Sequence, residues 1–131
     1  MLNRPAEARG RLTRRIVLAS ESEFVRFVVE SLRAVGPVNA RRMFGGCGLF
    51  LDGVMFALVV DDRLYFKVDD GNRPAYEARS LEPFSYTRRG RRIEMSYREA
   101  PSEGFDDPDV LCAFAREALA AALRAGRPER R

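Results

Sequence analysis

Residues 54–60 read Val-Met-Phe-Ala-Leu-Val-Val, and no other stretch limits the possible folds as tightly. Side chains on a strand alternate between two faces, so this run is apolar on both and belongs inside a covered sheet, not at its edge. Its flanks say what surrounds it. Asp52-Gly53 precedes it, a pair suited to the two-residue hairpin turn in which both centres take positive φ. Before that turn lies the apolar run Gly48–Leu51. Asp61-Asp62 follows, and then Leu64–Val68, where Tyr65 and Lys67 alternate with Leu64, Phe66 and Val68 as on a strand with one wetter face. Three consecutive strands joined by tight turns are the expected centre of the fold.

Helical periodicity brackets this centre. Ser20 and Glu23 have capping-box spacing, and Phe24, Phe27, Val28, Ser31, Leu32 and Val35 then recur on one helical face. Gly36-Pro37 stops that helix. Ala40 to Gly48 is expected to be a connector that turns sharply at its glycines. Arg73 to Arg79 suits a short helix with Pro74 at its start. Phe84–Thr87 and Ile93–Tyr97 flank Arg88 to Arg92 and predict a second hairpin with Gly90 at its tip. A loop over Ala100 to Phe105 leads to Asp107-Pro108, which opens a last helix striped by Val110, Leu111, Phe114, Ala118, Ala121 and Ala122. The expected architecture is α+β, in the order α-β3-α-β2-α, with one antiparallel-rich sheet. It forms one domain over 20–125, with a flexible, dispensable basic leader at 1–19 and a basic tail at 126–131.

Charge and residue usage narrow the chemistry. The net charge of +4 comes from 23 Lys+Arg against 19 Asp+Glu. Residues 1–20 hold five Arg and one Glu, and 124–131 hold four Arg and one Glu, so the excess sits in the ends. Between them, 21–123 carry 14 basic and 17 acidic residues, a field that does not favour a polyanion. There is no His, and Cys47 and Cys112 stand far apart, so ordinary zinc sites and Ser-His or Cys-His nucleophile pairs are excluded. Gly45-Gly46-Cys47-Gly48 lacks the Lys-Ser/Thr ending of a phosphate loop and precedes a strand instead of following one. The carboxylate pairs Asp61-Asp62, Asp69-Asp70 and Asp106-Asp107 fall where turns and helix starts want Asp. No run reaches the length of a membrane span. The expectation is a cytoplasmic, non-enzymatic binding domain without cofactor or metal.

Two surfaces are candidates for that binding. Arg88, Arg89, Arg91 and Arg92 sit beside Tyr86 on the second hairpin, where they suit a protein partner or, as the alternative, nucleic-acid phosphates and bases. The doubly apolar strand also needs two covers, which three modest helices are not expected to supply. A two-fold homodimer through the sheet face or the last helix is expected, with Phe50, Phe56 and Phe66 near the contact.

Ser20 to Val25, Gly36-Pro37-Val38, Arg41-Arg42-Met43-Phe44-Gly45-Gly46, Asp52 to Ala57 and Leu64 to Asp69 form one combination of motifs. Together they resemble the TfoX N-terminal domain family of TfoX/Sxy competence regulators. The resemblance runs over about 20–125. It implies a fold similar to the secretion-chaperone-like class, commonly found as a homodimer. It also implies a non-enzymatic role in transcription of competence genes, through a protein partner such as a transcription factor or polymerase; family members work alongside the cyclic-AMP receptor protein. Known regulators add a C-terminal helical domain that these 131 residues do not contain, so a single-domain adaptor is expected. The family supplies no catalytic residues to carry over.

Overall fold

The computed structural model describes residues 22–43 and 45–126. The expectations for the leader, Ser20, Phe44 and the tail beyond Gly126 lie outside the described residues. Helix α1 spans Glu23–Ser31 and is capped by Ser22, whose Oγ accepts from the Val25 N–H at 3.2 Å. The cap is therefore two residues later than the capping-box spacing suggested. Val25, Val28 and Leu32 are buried, while Phe27 is 44% exposed.

The segment expected to be a connector is a strand. Strand β1, Asn39–Met43, pairs antiparallel with β2, Gly46–Leu51. Then come β3, Val54–Val60, and β4, Arg63–Lys67, followed by a short helix α2, Arg73–Glu77. The second hairpin is β5, Pro83–Arg88, with β6, Arg91–Glu99; a single 3-10 turn at Ser102–Phe105 precedes the last helix, α3, Pro108–Ala125. The six strands form one antiparallel sheet in the order β1-β2-β3-β4-β6-β5. The α+β class holds, with four strands before α2 where three were expected.

Local chemistry explains the hairpins. Asp52-Gly53, Asp61-Asp62 and Arg89-Gly90 all have positive φ at both positions, as a two-residue turn matched to strand twist requires. The tip of the second hairpin is thus Arg89-Gly90 alone, because Arg88 pairs with Arg91 and Thr87 with Arg92 inside the ladder.

Among the described residues all the helical packing is on one face. Helix α3 lies over β3 and β4, and α1 leans on α3 and β1. Beneath them sit Leu49, Phe56, Ala57, Val59, Leu64 and Phe66, against Val28, Leu32, Leu111, Ala115 and Ala118. The alanines let α3 approach the sheet closely. A register shift between Leu49 and Phe50 leaves Phe56 as an extra residue opposite β2, so Phe56 and Ala57 both point under the helices. Phe56 and Phe66 stack at 6.5 Å in this core and are fully buried. Of the three phenylalanines expected near a dimer contact, Phe56 and Phe66 are thus core residues beneath the helices, and only Phe50 lies outside the core.

The end of α3 is fastened to the chain after β4. Arg124 donates to both carboxylate oxygens of Asp69, at 2.6 and 3.0 Å, and the Gly71 N–H donates to Asp69 Oδ1 at 2.9 Å. The Arg124 hydrogen bonds, aided by the Gly71 N–H, hold the Asp69 carboxyl down at about 2, below its usual range. A carboxyl depressed on folding contributes stability above its unfolded value of about 3.9 and loses it as pH falls through the folded value. Asp69→Asn is therefore expected to lower the thermal midpoint at neutral pH. That deficit should shrink between about pH 4 and pH 2; a deficit independent of pH in thermal melts would refute the pairing.

Candidate functional site

Among the described residues the helices lie on one side, and none of them covers the other face of the sheet. Pairing shows which side chains it carries. Gly48, Leu58, Tyr65 and Glu99 lie opposite one another across β2, β3, β4 and β6, and Cys47, Val59 and Leu64 form the neighbouring, helix-covered row. Strand alternation extends the open row to Met43, Phe50, Met55, Val60, Lys67, Phe84, Tyr86, Arg88, Arg91 and Met95. The doubly apolar β3 thus gives Phe56, Ala57 and Val59 to the core, and Met55, Leu58 and Val60 to this face.

The open face is concave. Met43, Leu58, Val60, Phe84, Tyr86, Arg88 and Met95 line one groove of about 460 Å³. Met43 and Phe84 belong to the two edge strands, which a flat sheet would hold about 24 Å apart. Sharing one groove means that the sheet curls toward this side. Leu58, 3% exposed, is the floor. Phe84 and Tyr86, 6.3 Å apart, form one wall, and Tyr65 backs it by meeting Phe84 edge-on at 5.0 Å.

Gly48 belongs to the same surface. A Cβ there would stand 2.6 Å from Met43 Sδ and 3.0 Å from both Met55 Sδ and the Phe50 ring. Its missing side chain makes room for two thioethers, which are flexible and polarisable and adapt to varied apolar guests.

Charge is arranged around the groove. Arg88 lies on its lip and Arg91 is its ladder partner on the same face, with Arg89 in the turn. None of these three side chains has a hydrogen bond or ion pair among the described residues. Arg92 points the other way, donating to Ser85 Oγ at 3.0 Å and pairing with Glu94 at 3.6 Å. The four-arginine candidate set is therefore split, with Arg88, Arg89 and Arg91 beside Tyr86 and Arg92 neutralised elsewhere.

The motif from Arg41 to Gly46 divides too. The Arg41 guanidinium sits 4.3 Å over the Phe50 ring on the open face, and Met43 enters the groove. Arg42 falls on the opposite row, and Phe44 is outside the described residues. Gly45 has φ +75°, and Gly46 packs against the β3 backbone. Farther along the open face, Arg63 pairs with Glu99 at 3.7 Å, and Lys67 lies 5.3 Å over the Tyr97 ring while donating to Ser96 Oγ.

Sequence reasoning missed the groove as such. Its traces were Met43, Met55 and Met95, three of the four methionines, all at positions of one face. Both cysteines are buried and form no disulfide, Cys47 donating to the Gly48 carbonyl and Cys112 to the Ser31 carbonyl. Among the described residues no cluster of His, Cys, Asp or Glu suits a metal ion, and no helix is long and apolar enough to cross a membrane. What this arrangement can do is hold apolar groups beside unpaired cations.

The family model of the TfoX N-terminal domain matches residues 30–122. The DNA transformation protein TfoX1 of Aliivibrio fischeri (strain ATCC 700601 / ES114) is 30% identical over 99 residues, covering 76% of this chain and 46% of that protein. The chain thus spans about half the length of the curated relative it matches. All six strands lie within the matched span, which runs from the last two residues of α1 into α3, and the chain belongs to the TfoX N-terminal domain family.

Proposed function

We propose that this domain is a non-enzymatic regulatory module, working in the cytoplasm on competence-related transcription through a protein partner seated on the open face of its sheet. The observation that carries this reading is the concave, helix-free groove with Arg88, Arg89 and Arg91 unpaired at its rim. An apolar depression with a few cations is a recognition surface. Membership in the TfoX N-terminal domain family and the name of the curated relative support a link to DNA transformation. The test replaces Tyr86 and Arg88, both exposed, with Ala and Glu in the native cell, followed by transcript profiling. The double variant is expected to reproduce the transcript changes of a gene deletion. A wild-type profile from a stably expressed double variant refutes the reading.

The unpaired arginines favour a second reading, direct contact with nucleic acid. Three phosphate contacts from Arg88, Arg89 and Arg91 would make the logarithm of duplex-DNA affinity fall with that of salt at a slope of about −3. Binding that is absent, or insensitive to salt, discards this alternative.

A further inference from the structure

Resting on the reading that the open face receives a protein, we infer that its occupant is an acidic amphipathic helix, with bulky aliphatic side chains in the groove and carboxylates at Arg88, Arg89 and Arg91. The backbone of the face selects a helix. The floor at Leu58 comes from β3, hydrogen-bonded to β2 on one side and to β4 on the other, so there it offers side chains but no free N–H or C=O. A segment lying there must satisfy its own backbone groups, which a helix does and an extended peptide does not.

The lining selects aliphatic anchors. Met43, Leu58, Val60 and Met95 are four of the seven lining residues, and thioethers reshape around guests of different form. Nucleic-acid bases need flat, free rings to stack on, yet the Phe84 ring is held between Tyr65 and Tyr86.

The charge selects acidity. Residues 22–126 hold 15 Lys+Arg and 16 Asp+Glu, so the protein body is close to neutral. Against that background Arg41, Lys67, Arg88 and Arg91 share the open face, where Glu99 is paired with Arg63. A second copy stacked face to face would set these cations against their own kind, whereas an acidic helix meets them with opposite charge.

The test uses the full chain carrying ¹³C-methyl methionine, because Met43, Met55 and Met95 report directly on the face. The probe is a short synthetic helix-forming peptide with Leu at i, i+3, i+4 and i+7 and Glu on the flanks. It is compared with a Lys-for-Glu peptide, an Ala-for-Leu peptide and a single-stranded oligonucleotide. The acidic peptide is expected to move all three methyl resonances and to bind at least about tenfold more tightly than its Lys counterpart. The Ala-for-Leu peptide should move none. Arg88→Glu, at an exposed position, is expected to reverse the preference toward the Lys peptide.

Equal binding of acidic and basic peptides, or shifts caused by the oligonucleotide alone, overturns the proposal. So do the same shifts produced merely by raising protein concentration, which assign the face to a second copy. Acidic-peptide binding alongside an unchanged transcript profile keeps the surface chemistry and discards the regulatory role. A changed profile without peptide binding keeps the role and discards the acidic helix.

Discussion

Gly46→Val is expected to destabilise the domain by about 2–4 kcal/mol, the largest effect of any single substitution at its glycines. A Cβ on Gly46 would stand 2.4 Å from the Val59 carbonyl oxygen and 2.9 Å from Val60 Cγ2. The first of these is backbone of the adjacent strand, which cannot swing aside as a side-chain tip can. Accommodating it means parting β2 from β3 at the start of their ladder, where Cys47 pairs with Val59. Gly45→Val tests a different mechanism. Its φ of +75° is a region where a Cβ is disfavoured, but no heavy atom lies within 4 Å, so the cost is backbone strain alone, about 1–2 kcal/mol. Chemical denaturation of both variants checks the order of the two effects. A Gly46→Val midpoint equal to wild type would mean that the close approach of β2 to β3 is not as described.

That glycine segment shows where sequence legibility stopped. A sharp turn at Gly45 was readable, because glycine clusters announce unusual φ. The strand on its near side was not. Asn39-Ala40-Arg41-Arg42-Met43 has no apolar alternation, since β1 is an edge strand with Ala40 and Met43 its only apolar residues. What makes it a strand is the open edge of β2, a tertiary demand that leaves no local trace. The helix start was misplaced for a related reason. Ser20 and Glu23 have capping-box spacing, which put the cap at Ser20, whereas the structure caps the helix with Ser22, its Oγ accepting from the Val25 N–H.

The site was half legible. An apolar run on both faces announced that the second face of β3 is apolar too, although among the described residues helices cover only the first, and the hairpin arginines were visible as a cluster. Which phenylalanines face outward was not visible. Strict alternation from Val54 would put Phe56 on the face of Leu58, and the bulge at Phe56 breaks that count. The curl that brings β5 to Met43 comes from the twist and coiling of the whole sheet, and no window of residues contains it.

The same bulge leads to an expectation that separates core from surface. Phe66→Ala should cost about 3–5 kcal/mol, because Phe66 is fully buried, stacked on Phe56 and opposite Ala57 beneath the helices. Where that variant does not fold, Phe66→Leu keeps most of the volume and should cost about 1 kcal/mol. Tyr86→Ala is expected to change stability by no more than about 0.5 kcal/mol, since Tyr86 is 40% exposed and its neighbours are rings at the groove wall. It should nonetheless weaken peptide binding at the face, because it removes part of the wall that an apolar guest touches. Were Phe66 a contact residue between copies, its alanine variant would leave unfolding of the isolated chain nearly unchanged and act on association instead. Thermal melts at two widely spaced protein concentrations distinguish these cases. A loss of midpoint that is the same at both concentrations places Phe66 in the core, and a loss that appears only at the higher one returns it to an interface.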